Sequence, residues 1–541
     1  MHPQPKRLLI LDAAQQRHYL RSLRPEQMPG PNHDAREDTT LFGGEALCHY
    51  LLRETPDALI LARGPLPFLA GNKTTVGYIS PLTVVPHYSF VGGRGFAQLL
   101  NLGLDAMILR GAASVPDHYA VIAGRAPHLT VEWRAATDLP TGQRSAYHWL
   151  TAHELDGNPE SGSIFTVGDA AYHGYRAANL ACDGLYHAGR GGAGHSFARF
   201  LAALVLRAAP VSLDEWLGPR ADEVRELRNG EIRERLERYG ERLSQRTGGT
   251  VTKLYDTGAG ERPTLPARNA QRLGYDLADL GARRVLRASR VGQTGCHWCQ
   301  INCRHWHWVD VDYMDDTDDT NAGRDRYLDD FEPTYALFAM LDLAPEDANF
   351  KARLRLLEEV DHRVVVPIEQ MGLDIIDAGV GLAALFEGLA RGVIPPKDVP
   401  PALRSGPYFG NLAAAEAAIT ALRAGDDAPA LRTLGDGPQA LAERYPALQA
   451  RVFTCGPGTL GNPGHANALW TFLMPFSRFF SHYSGQIYKI PGALTPEMSN
   501  SEIDDLFQRV ITEMLRREQF ICLGNALSQC GFTFVIFSEG G

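Results

Sequence analysis

Three cysteines near the middle of the chain, Cys296, Cys299 and Cys303, follow the spacing C-x2-C-x3-C. Three thiolates this close together converge readily on one metal centre, whereas a disulfide does not need this spacing and would leave one cysteine over. A [4Fe–4S] cluster needs four cysteine ligands, and the fourth often comes from a distant part of the sequence. Cys530 is our candidate for that ligand. This choice predicts that the two ends of the C-terminal half of the chain meet at one redox centre.

A zinc site is the alternative interpretation of the same segment, in a protein that serves structure or interaction. Its ligands would be Cys296, Cys299, Cys303 and His305. Structural zinc usually pairs one C-x2-C element with a second one, so a single cysteine run fits a cluster better.

The chain has eight cysteines among 541 residues, which does not match the disulfide framework of a small secreted protein. Reduced thiols and a cytoplasmic location fit this composition better. We expect the cysteines outside the candidate metal centre to be buried small apolar residues. These are Cys48, Cys182, Cys455 and Cys522.

The size and charge of the chain argue against several classes of protein. A length of 541 residues suggests about three domains, and a hydrophobic content of 44% provides ample core. The formal net charge of −10 argues against nucleic acid or an acidic membrane surface as the main partner. No stretch approaches the roughly 18 apolar residues that span a bilayer.

The pattern along the chain predicts an α+β fold, with a mainly β domain followed by two mainly helical domains. Residues 1–208 are rich in glycine and in short apolar runs, which indicates strands. Residues 209–405 include the cysteine triad and carry Glu and Arg at helical spacing, with long amphipathic runs. Residues 406–541 follow the proline-rich stretch Pro395–Pro407 and form the second helical domain. The clearest elements are strands at Ala58–Ala62 and Ala106–Leu109 and helices at Ala413–Ala424 and Asn500–Arg517.

Three glycine clusters of the first region could form a cradle for a phosphate or a pyranopterin. Glycine lets backbone N–H groups approach an anion closely, and a neighbouring arginine adds charge. Tight turns between strands are the alternative interpretation. No cluster is followed by the GK[ST] of a Walker loop, and none meets G-x-G-x-x-G between a strand and a helix. The clusters are Gly43-Gly44-Glu45-Ala46, Gly92-Gly93-Arg94-Gly95 and Gly189-Arg190-Gly191-Gly192-Ala193-Gly194.

Together these segments resemble the aldehyde ferredoxin oxidoreductase family of tungsten or molybdenum bispyranopterin enzymes. The most distinctive match is Asp183-Gly184 followed by Ala188-Gly189-Arg190-Gly191-Gly192, which resembles the family's DG…AGRGG block. Gly372-Leu373-Asp374 resembles its D-x-x-G-L-D element, and Cys530 lies where D-x-x-G-L-C places the last ligand. Further segments follow in the family's order: Phe42 to Leu47, Ser80-Pro81-Leu82-Thr83, Gly92 to Gly95, and Leu104-Asp105-Ala106.

The resemblance implies an aldehyde ferredoxin oxidoreductase-like enzyme that oxidises an aldehyde to a carboxylic acid. A tungsten or molybdenum ion held by two pyranopterins would take two electrons, and a [4Fe–4S] cluster would pass them singly to ferredoxin or another carrier subunit. A magnesium ion and a homodimer are further expectations. The implied cofactor-binding residues are Lys73, Gly92, Gly93, Arg94, His187, Gly189, Arg190, Glu369, Leu373, Asp374 and Asn525.

Two residues are implied as catalytic. Glu332 resembles the family's active-site acid. In that role, a buried carboxylate with a raised pKa could take a proton from the attacking water. The alternative is an ordinary glutamate at a helix N-terminus, just before Pro333. His465 is the candidate for the family's substrate-side histidine, with a surface-loop histidine as the alternative.

Some residues depart from the family pattern, mainly between cluster and pterin. Lys73 aligns with a family arginine that bridges the two, and lysine cannot donate in the same bidentate manner. Phe90 aligns with an asparagine near the pterin phosphates. Asn525 replaces an acid, and Ser528-Gln529 replace Gly-Leu before the last cysteine.

Two alternative functions stay open. One is an enzyme with the same cofactors that acts on an activated aromatic or acyl acid, and the other is an electron-transfer protein that carries only the cluster.

Overall fold

A computed structural model describes residues 5–24, 43–66, 72–112, 116–235, 237, 264–269, 271–276, 290–299, 304–307, 326–328, 341–343, 356, 359–452, 454–455, 460–461 and 498–530. The N-terminal region contains two six-stranded sheets. The strands of the first sheet are β1 (Lys6–Asp12), β2 (Arg17–Leu23), β3 (Leu59–Ala62), β4 (Thr74–Ile79), β5 (Pro86–Val91) and β6 (Ala106–Arg110). Their order is β2-β1-β6-β3-β4-β5, with β1 parallel to β6 and the other neighbours antiparallel.

The second sheet is built mainly from the chain after β6. Its strands are β7 (His118–Arg125), β8 (His128–Ala135), β9 (Ser163–Thr166), β10 (Leu180–Cys182), β11 (Tyr186–Ala188) and β12 (Ala203–Arg207). Their order is β11-β10-β9-β12-β7-β8, and only β12 and β7 run parallel among these pairs. Strands such as β3 and β9 are short and completely buried, because both faces of the sheet are covered.

Five helices connect these strands and pack on the sheets. They are α1 (Gly44–Glu54), α2 (Gly95–Asn101), α3 (Gln143–Glu154), α4 (Asp169–Tyr172) and α5 (Ala193–Ala198), with a short 3₁₀ turn at Pro159–Ser161. Leu47 and Leu51 lie one turn apart on α1 and pack against Leu8 and Ile60 of the first sheet. Leu150 places α3 on the second sheet in the same way.

The chain after β12 is mainly helical in the described ranges. Its helices are α6 (Leu213–Leu217), α7 (Ala221–Leu227), α8 (Val366–Met371), α9 (Ile375–Ala390), α10 (Leu412–Arg423), α11 (Pro429–Gly435), α12 (Pro438–Arg444) and α13 (Asn500–Ala526). Shorter 3₁₀ turns lie at Gly218–Arg220, Pro396–Asp398, Pro401–Leu403 and Pro446–Arg451, and π-helical turns lie at Arg228–Ile232 and Asp361–Val365.

Small antiparallel sheets interrupt the helical region. The segment with the cysteine triad lies between two strands of one of them, which the sequence patterns did not predict. The strands are β13 (Thr264–Ala267) with β14 (Arg272–Asp276), β15 (Arg290–Thr294) with β16 (Arg304–His307) and β17 (Arg326–Leu328), and β18 (Thr454–Cys455) with β19 (Leu460–Gly461).

The central helix is α9, which is almost entirely apolar and buried. Phe386 of α9 belongs to the same buried core as Phe165 and Leu204 of the second sheet. The long α13 begins with a capping box, in which Ser499 and Glu502 satisfy each other's main-chain N–H groups.

The predicted fold class is confirmed, because a mainly β region precedes a mainly helical one. The helix expected at Ala413–Ala424 is α10, and the one expected at Asn500–Arg517 is α13, which continues to Ala526. The boundaries at 208 and 405 stay predictions. Within the described ranges, no helix combines the length and the apolar character that crossing a membrane requires.

Candidate functional site

The first two cysteines of the triad pack against the turn between β5 and α2. Cys299 donates its main-chain N–H to the carbonyl of Cys296 at 2.9 Å, which folds the C-x2-C element into a turn. A Cβ added to Gly92 would lie 2.7 Å from the Sγ of Cys296, so this sulfur rests directly on the glycine. Trp298 meets the Phe96 ring edge to face, with 5.7 Å between ring centroids. A side chain at position 92 would push the cysteine segment away from the first sheet.

The end of α13 brings Cys530 to the same hairpin. The main-chain N–H of Lys73, the residue before β4, donates a 2.8 Å hydrogen bond to the carbonyl of Ser528. Asn72 and Gln529 form an antiparallel bridge, and the Gln529 Nε2 donates to the Asn72 Oδ1 at 2.6 Å. These contacts hold the chain that enters Cys530 against the start of β4.

The register of β4 and β5 relates the two cysteine segments. Thr74, the first residue of β4, pairs with the last residue of β5, so Gly92 follows at the level of Lys73. Cys296 rests on Gly92, and Cys530 follows the segment that is bound to Lys73. Cys296 and the main chain that enters Cys530 therefore approach the same end of the β4–β5 hairpin, as ligands of a shared metal centre would need to do.

Asp183 holds the turn after β5. Gly93 adopts a φ of +86°, and a Cβ there would lie 2.7 Å from the Asp183 Oδ2. The same oxygen accepts a 2.7 Å hydrogen bond from the N–H of Arg94, and Oδ1 accepts one from the Ser163 hydroxyl at 2.8 Å. Burial raises the pKa of the Asp183 carboxyl, although these hydrogen bonds oppose the shift. The Arg94 guanidinium forms an ion pair with Glu160, so its charge is already balanced.

Arg190, in the glycine turn between β11 and α5, pairs with two buried carboxylates. Its Nη2 lies 3.3 Å from the Asp377 Oδ1, and its Nε lies 3.5 Å from the Asp374 Oδ2. The carbonyl of Arg190 accepts a 3.0 Å hydrogen bond from the Tyr78 hydroxyl, which anchors the turn to β4. Burial raises the pKa of Asp374, and the charge of Arg190 opposes that shift.

The glycines on either side of Arg190 have different surroundings. Gly191 adopts a φ of +83°, and a Cβ there would lie 2.5 Å from the Nε2 of His87. Burial, and then the charge of Arg190, lower the pKa of His87 to about 4, so this imidazole is neutral near pH 7. A Cβ at Gly189 would meet no heavy atom of the described residues within 4 Å. The turn is therefore closed at Gly191 and open at Gly189.

Gly372-Leu373-Asp374 carries the helical region to the Arg190 turn. Leu373 forms an antiparallel bridge with Ala178, and the N–H of Asp374 donates to the Ala177 carbonyl at 3.1 Å. The Asp374 Oδ1 then accepts the N–H of Ile376 at 3.0 Å and caps α9. Because these contacts fix the main chain, the carboxyl of Asp374 meets Arg190 from a defined direction.

Two further predicted cofactor residues flank these segments. Glu369 of α8 accepts the N–H of Gly372 at its carbonyl, at 3.0 Å, and its side chain is half-buried. His187 of β11 pairs with Ala181 of β10 and is also half-buried. Both residues are therefore close in the chain to the Arg190 turn or to the segment that contacts it.

The first glycine cluster packs α1 against α13, so the tight-turn interpretation is favoured there. Gly44 adopts a φ of +47°, and a Cβ at this position would lie 2.3 Å from the carbonyl oxygen of Asn525. Glu45, the next residue, lies close enough to the Asn525 side chain for that amide to influence its carboxyl. Burial raises the pKa of Glu45 to about 7, so this carboxyl titrates near neutral pH.

Two sequence models of one protein family match the chain. The one described as aldehyde ferredoxin oxidoreductase, N-terminal domain, matches residues 33–207, and the one described as domains 2 and 3 of the same enzyme matches residues 229–458. The chain belongs to the aldehyde ferredoxin oxidoreductase family. The resemblance seen in the motifs is thereby confirmed, and the chain is an oxidoreductase of a family that generally binds a tungsten or molybdenum bispyranopterin and a [4Fe–4S] cluster.

Comparison with solved structures shows the same fold in another protein. The chain is similar to the active site complex BamBC of benzoyl coenzyme A reductase in complex with 1,5-dienoyl-CoA, with a TM-score of 0.63 and 17% sequence identity. The similarity covers 97% of this chain and 81% of that one. No match was found among curated protein sequences.

The residues at Arg190 fit the ring of the family's pterin better than its phosphate. One guanidinium opposes two carboxylates beside a neutral imidazole, which leaves no net positive charge for a dianion. Apart from the 3.5 Å ion pair with the Arg190 Nε, the buried Asp374 Oδ2 accepts no hydrogen bond from the described residues, whereas a pterin ring offers N–H donors. Gly189, which precedes Arg190, has no heavy atom of the described residues within 4 Å of the position that a Cβ would take. At the hairpin, the thiols of Cys296 and Cys530 are the donor type that an iron–sulfur cluster takes.

Several predicted site residues lie outside the described residues. They are Cys303, Glu332 and His465. Across the described ranges, no group of three or more histidine, cysteine, aspartate or glutamate side chains converges on one point. Of the cysteines expected to be apolar core, Cys48 and Cys182 are buried as predicted, whereas Cys522 is exposed, because it lies on a solvent-facing side of α13. The side chain of Cys455 lies outside the described part.

Asp377 and the raised pKa of Glu45 were not predicted from the sequence. Asp377 lies three residues after the N-cap of α9, in an otherwise apolar run, and such an isolated acid on a buried helix is the signal that could have identified it. No comparable signal marked Glu45, because its carboxyl is buried by α13, which lies far away in the sequence.

Proposed function

We propose that this family member is a tungsten- or molybdenum-dependent bispyranopterin oxidoreductase, with a [4Fe–4S] cluster held by Cys296, Cys299, Cys303 and Cys530. The observation that carries the proposal is the convergence of Cys296 and Cys530 at one end of the β4–β5 hairpin. The two cysteines come from distant parts of the sequence, and a [4Fe–4S] cluster takes cysteine thiolates as its ligands.

The pterins would be held by the turns on both sides of this hairpin. In the proposal, Asp374 accepts hydrogen bonds from a pterin ring, Arg190 keeps that carboxyl oriented, and Gly189 leaves the space that the ring needs. Gly92 and Gly93 bring main-chain groups close to the cluster side. When bound, the pterin-held metal supplies two-electron chemistry and the cluster supplies one-electron transfer.

Proton handling would fall to residues outside the described ranges. Glu332 would hold a proton at its carboxyl, and His465 would contact the substrate. Magnesium is not part of the proposal, because Phe90 stands where the resemblance places an asparagine near the phosphates. A cytoplasmic location and assembly with ferredoxin or another electron-carrier subunit complete the proposal, and a homodimer remains an expectation.

Oxidation of an aldehyde to a carboxylic acid is the leading proposal for the reaction. Reduction of an activated aromatic acid is the second candidate. It is favoured by the likeness to a benzoyl coenzyme A reductase complex, over nearly the whole of this chain. The two reactions run electrons in opposite directions through the same cofactors, so the substrate decides between them.

Metal analysis of the anaerobically purified protein tests the proposal. We expect about four iron atoms per chain, tungsten or molybdenum, and pterin fluorescence after oxidation. Iron without tungsten or molybdenum, from a host that makes the cofactor, would support an electron-transfer protein that carries only the cluster. Zinc without iron would support the alternative of a zinc-stabilised structural or interaction protein. Dye-linked assays then distinguish the two reactions. Aldehydes are tested as electron donors, and aromatic coenzyme A thioesters are tested as electron acceptors.

A further inference from the structure

Two buried amide side chains connect the N-terminal region to the segment that carries Asp374. Gln143, the first residue of α3, is 2% exposed, and its Nε2 donates to the Asn179 Oδ1 at 2.8 Å and to the Asn179 carbonyl at 3.1 Å. Asn179 in turn donates its Nδ2 to the carbonyl of Leu373 at 3.0 Å and its main-chain N–H to the carbonyl of Gly372 at 2.7 Å.

The turn before Asp374 is closed down on these amides. Gly372 adopts a φ of +71°, and a Cβ there would lie 2.8 Å from the Gln143 Nε2. Asn179 therefore fixes the two carbonyls before Asp374, and Gln143 fills the space that a side chain at position 372 would take. Since Asp374 faces Arg190 directly after this turn, we expect a change at Gln143 or Asn179 to alter the position of the carboxyl.

A need to hold the two regions together does not by itself explain why Gln143 and Asn179 are amides. The Gln143 Oε1 is buried and accepts no hydrogen bond from the described part of the chain, which costs free energy that apolar side chains would not cost. Apolar packing could join α3 to the α8–α9 turn at least as well. Directional hydrogen bonds differ from apolar packing in selecting one geometry of the turn.

We propose that Gln143 and Asn179 are positioning residues that set Asp374 against Arg190 in the geometry that receives a pterin ring. Neither residue touches the cofactor in this proposal, which rests on the proposed function. Residues in this outer position commonly change metal affinity or activity by about 10-fold to 100-fold when they are replaced.

The test compares Gln143→Met with Gln98→Met in the full chain. Gln98 is also a buried glutamine, 4% exposed, but its Oε1 accepts the N–H of Ala208 at 3.0 Å, away from the Arg190 turn. Both changes keep the side-chain length and remove an amide. Pterin, tungsten or molybdenum, and iron are measured in each variant, with the EPR signals of the metal centre and of the cluster.

For Gln143→Met we expect pterin and metal per iron to fall about 10-fold, the remaining metal centre to show a shifted EPR signal, and the cluster signal to stay unchanged. Gln98→Met should keep the wild-type ratio even where it unfolds more easily. If Gln143→Met does not accumulate as folded protein, Asn179→Ser, which removes the donor to Leu373, is measured in the same way.

A wild-type ratio of pterin to iron and an unchanged metal signal in Gln143→Met would overturn the inference, as would a parallel loss of iron and pterin. Either result leaves the proposed function standing, because the wild-type protein would still contain the cofactors. Absence of pterin and of both metals from the wild type would overturn the proposed function, and the inference with it.

Discussion

The main-chain N–H of Lys73 donates a hydrogen bond to the carbonyl of Ser528, two residues before Cys530. Thr75 and Ser528 also share a 2.8 Å hydrogen bond between their hydroxyls, across 453 residues of sequence. Lys73 was expected to act through its side chain, in place of a bridging arginine. Its main chain adds a second contribution, because it fixes the segment that leads to the last candidate cluster ligand.

Replacing Cys530 with alanine should remove a cluster ligand without unfolding α13. We expect Cys530→Ala to lose most of its iron and its visible iron–sulfur absorption, because three cysteines hold a [4Fe–4S] cluster poorly. Cys522→Ala is the matched control, since this exposed cysteine lies on α13, eight residues before Cys530. Iron per chain and the EPR spectrum of the reduced protein are the measurements. Full iron content and an unchanged EPR signal in Cys530→Ala would place the fourth ligand elsewhere.

The sequence was most informative where function depends on local motifs. The C-x2-C spacing, the Arg190 turn and Gly372-Leu373-Asp374 were all identified, because glycine turns and clustered ligands are visible over a few residues. The helix α13 was also predicted from its amphipathic pattern, although its last nine residues were not.

The contacts between these motifs could not be predicted. Three contacts each join distant parts of the sequence: the pairing of Arg190 with Asp377, the close approach of Gly44 to Asn525, and the antiparallel bridge between Asn72 and Gln529. Spacing contains no information about such contacts, because they depend on how the sheets and helices pack. For the same reason, the sequence could not decide between a cradle and a tight turn at Gly43 and Gly44, and the packing of α13 favours the turn.

The glycines around the two turns should respond differently to an added methyl group. Gly93→Ala forces a residue with a side chain to adopt a φ of +86° and places its Cβ 2.7 Å from a carboxylate oxygen, so we expect a loss of roughly 2–4 kcal/mol in the free energy of unfolding. Gly189→Ala meets no described atom within 4 Å and should cost less than about 1 kcal/mol.

At Gly189, an added methyl group should affect the pterin content more than the stability of the protein. If its open side receives the pterin, Gly189→Ala lowers pterin per chain while thermal stability of the cofactor-free protein changes little. Chemical denaturation and pterin fluorescence, measured on the same preparations, separate the two effects. A normal pterin content in Gly189→Ala would show that the open side of the turn faces something else.

Glu45 should make the stability of the protein fall between acidic and neutral pH. Burial raises its pKa from 4.5 to about 7, so the folded chain binds this proton more tightly than the unfolded chain does. The stabilisation is complete below the unfolded pKa and is lost as the pH rises through the folded one. The shift corresponds to about 3–4 kcal/mol.

The variant Glu45→Gln should therefore lose less stability than the wild type between about pH 5 and about pH 8. Glu54→Gln is the control at the other end of α1. Burial alone would raise the pKa of Glu54, but hydrogen bonds from Arg21 and Tyr50 lower it. The stabilisation by the Glu54 carboxylate is already present at neutral pH. Glu54→Gln therefore cannot flatten the dependence of the unfolding free energy on pH in this range. Urea unfolding at several pH values measures both, and parallel curves for Glu45→Gln and the wild type would contradict the prediction.

Arg190→Met should leave Asp374 and Asp377 buried without their shared guanidinium. Removing one partner of a buried ionic group typically costs about 3–5 kcal/mol, because the remaining charge is no longer compensated. The pKa of Asp374, already raised by burial, should rise further, so protonation relieves part of the cost at low pH. The deficit against the wild type should therefore grow as the pH rises from about 4 to about 8.

Adding Asp374→Asn to Arg190→Met should recover part of the stability near neutral pH and flatten this dependence. A deficit that is constant with pH, and unaffected by Asp374→Asn, would show that the cavity left by Arg190, and not the uncompensated buried charge, dominates the cost.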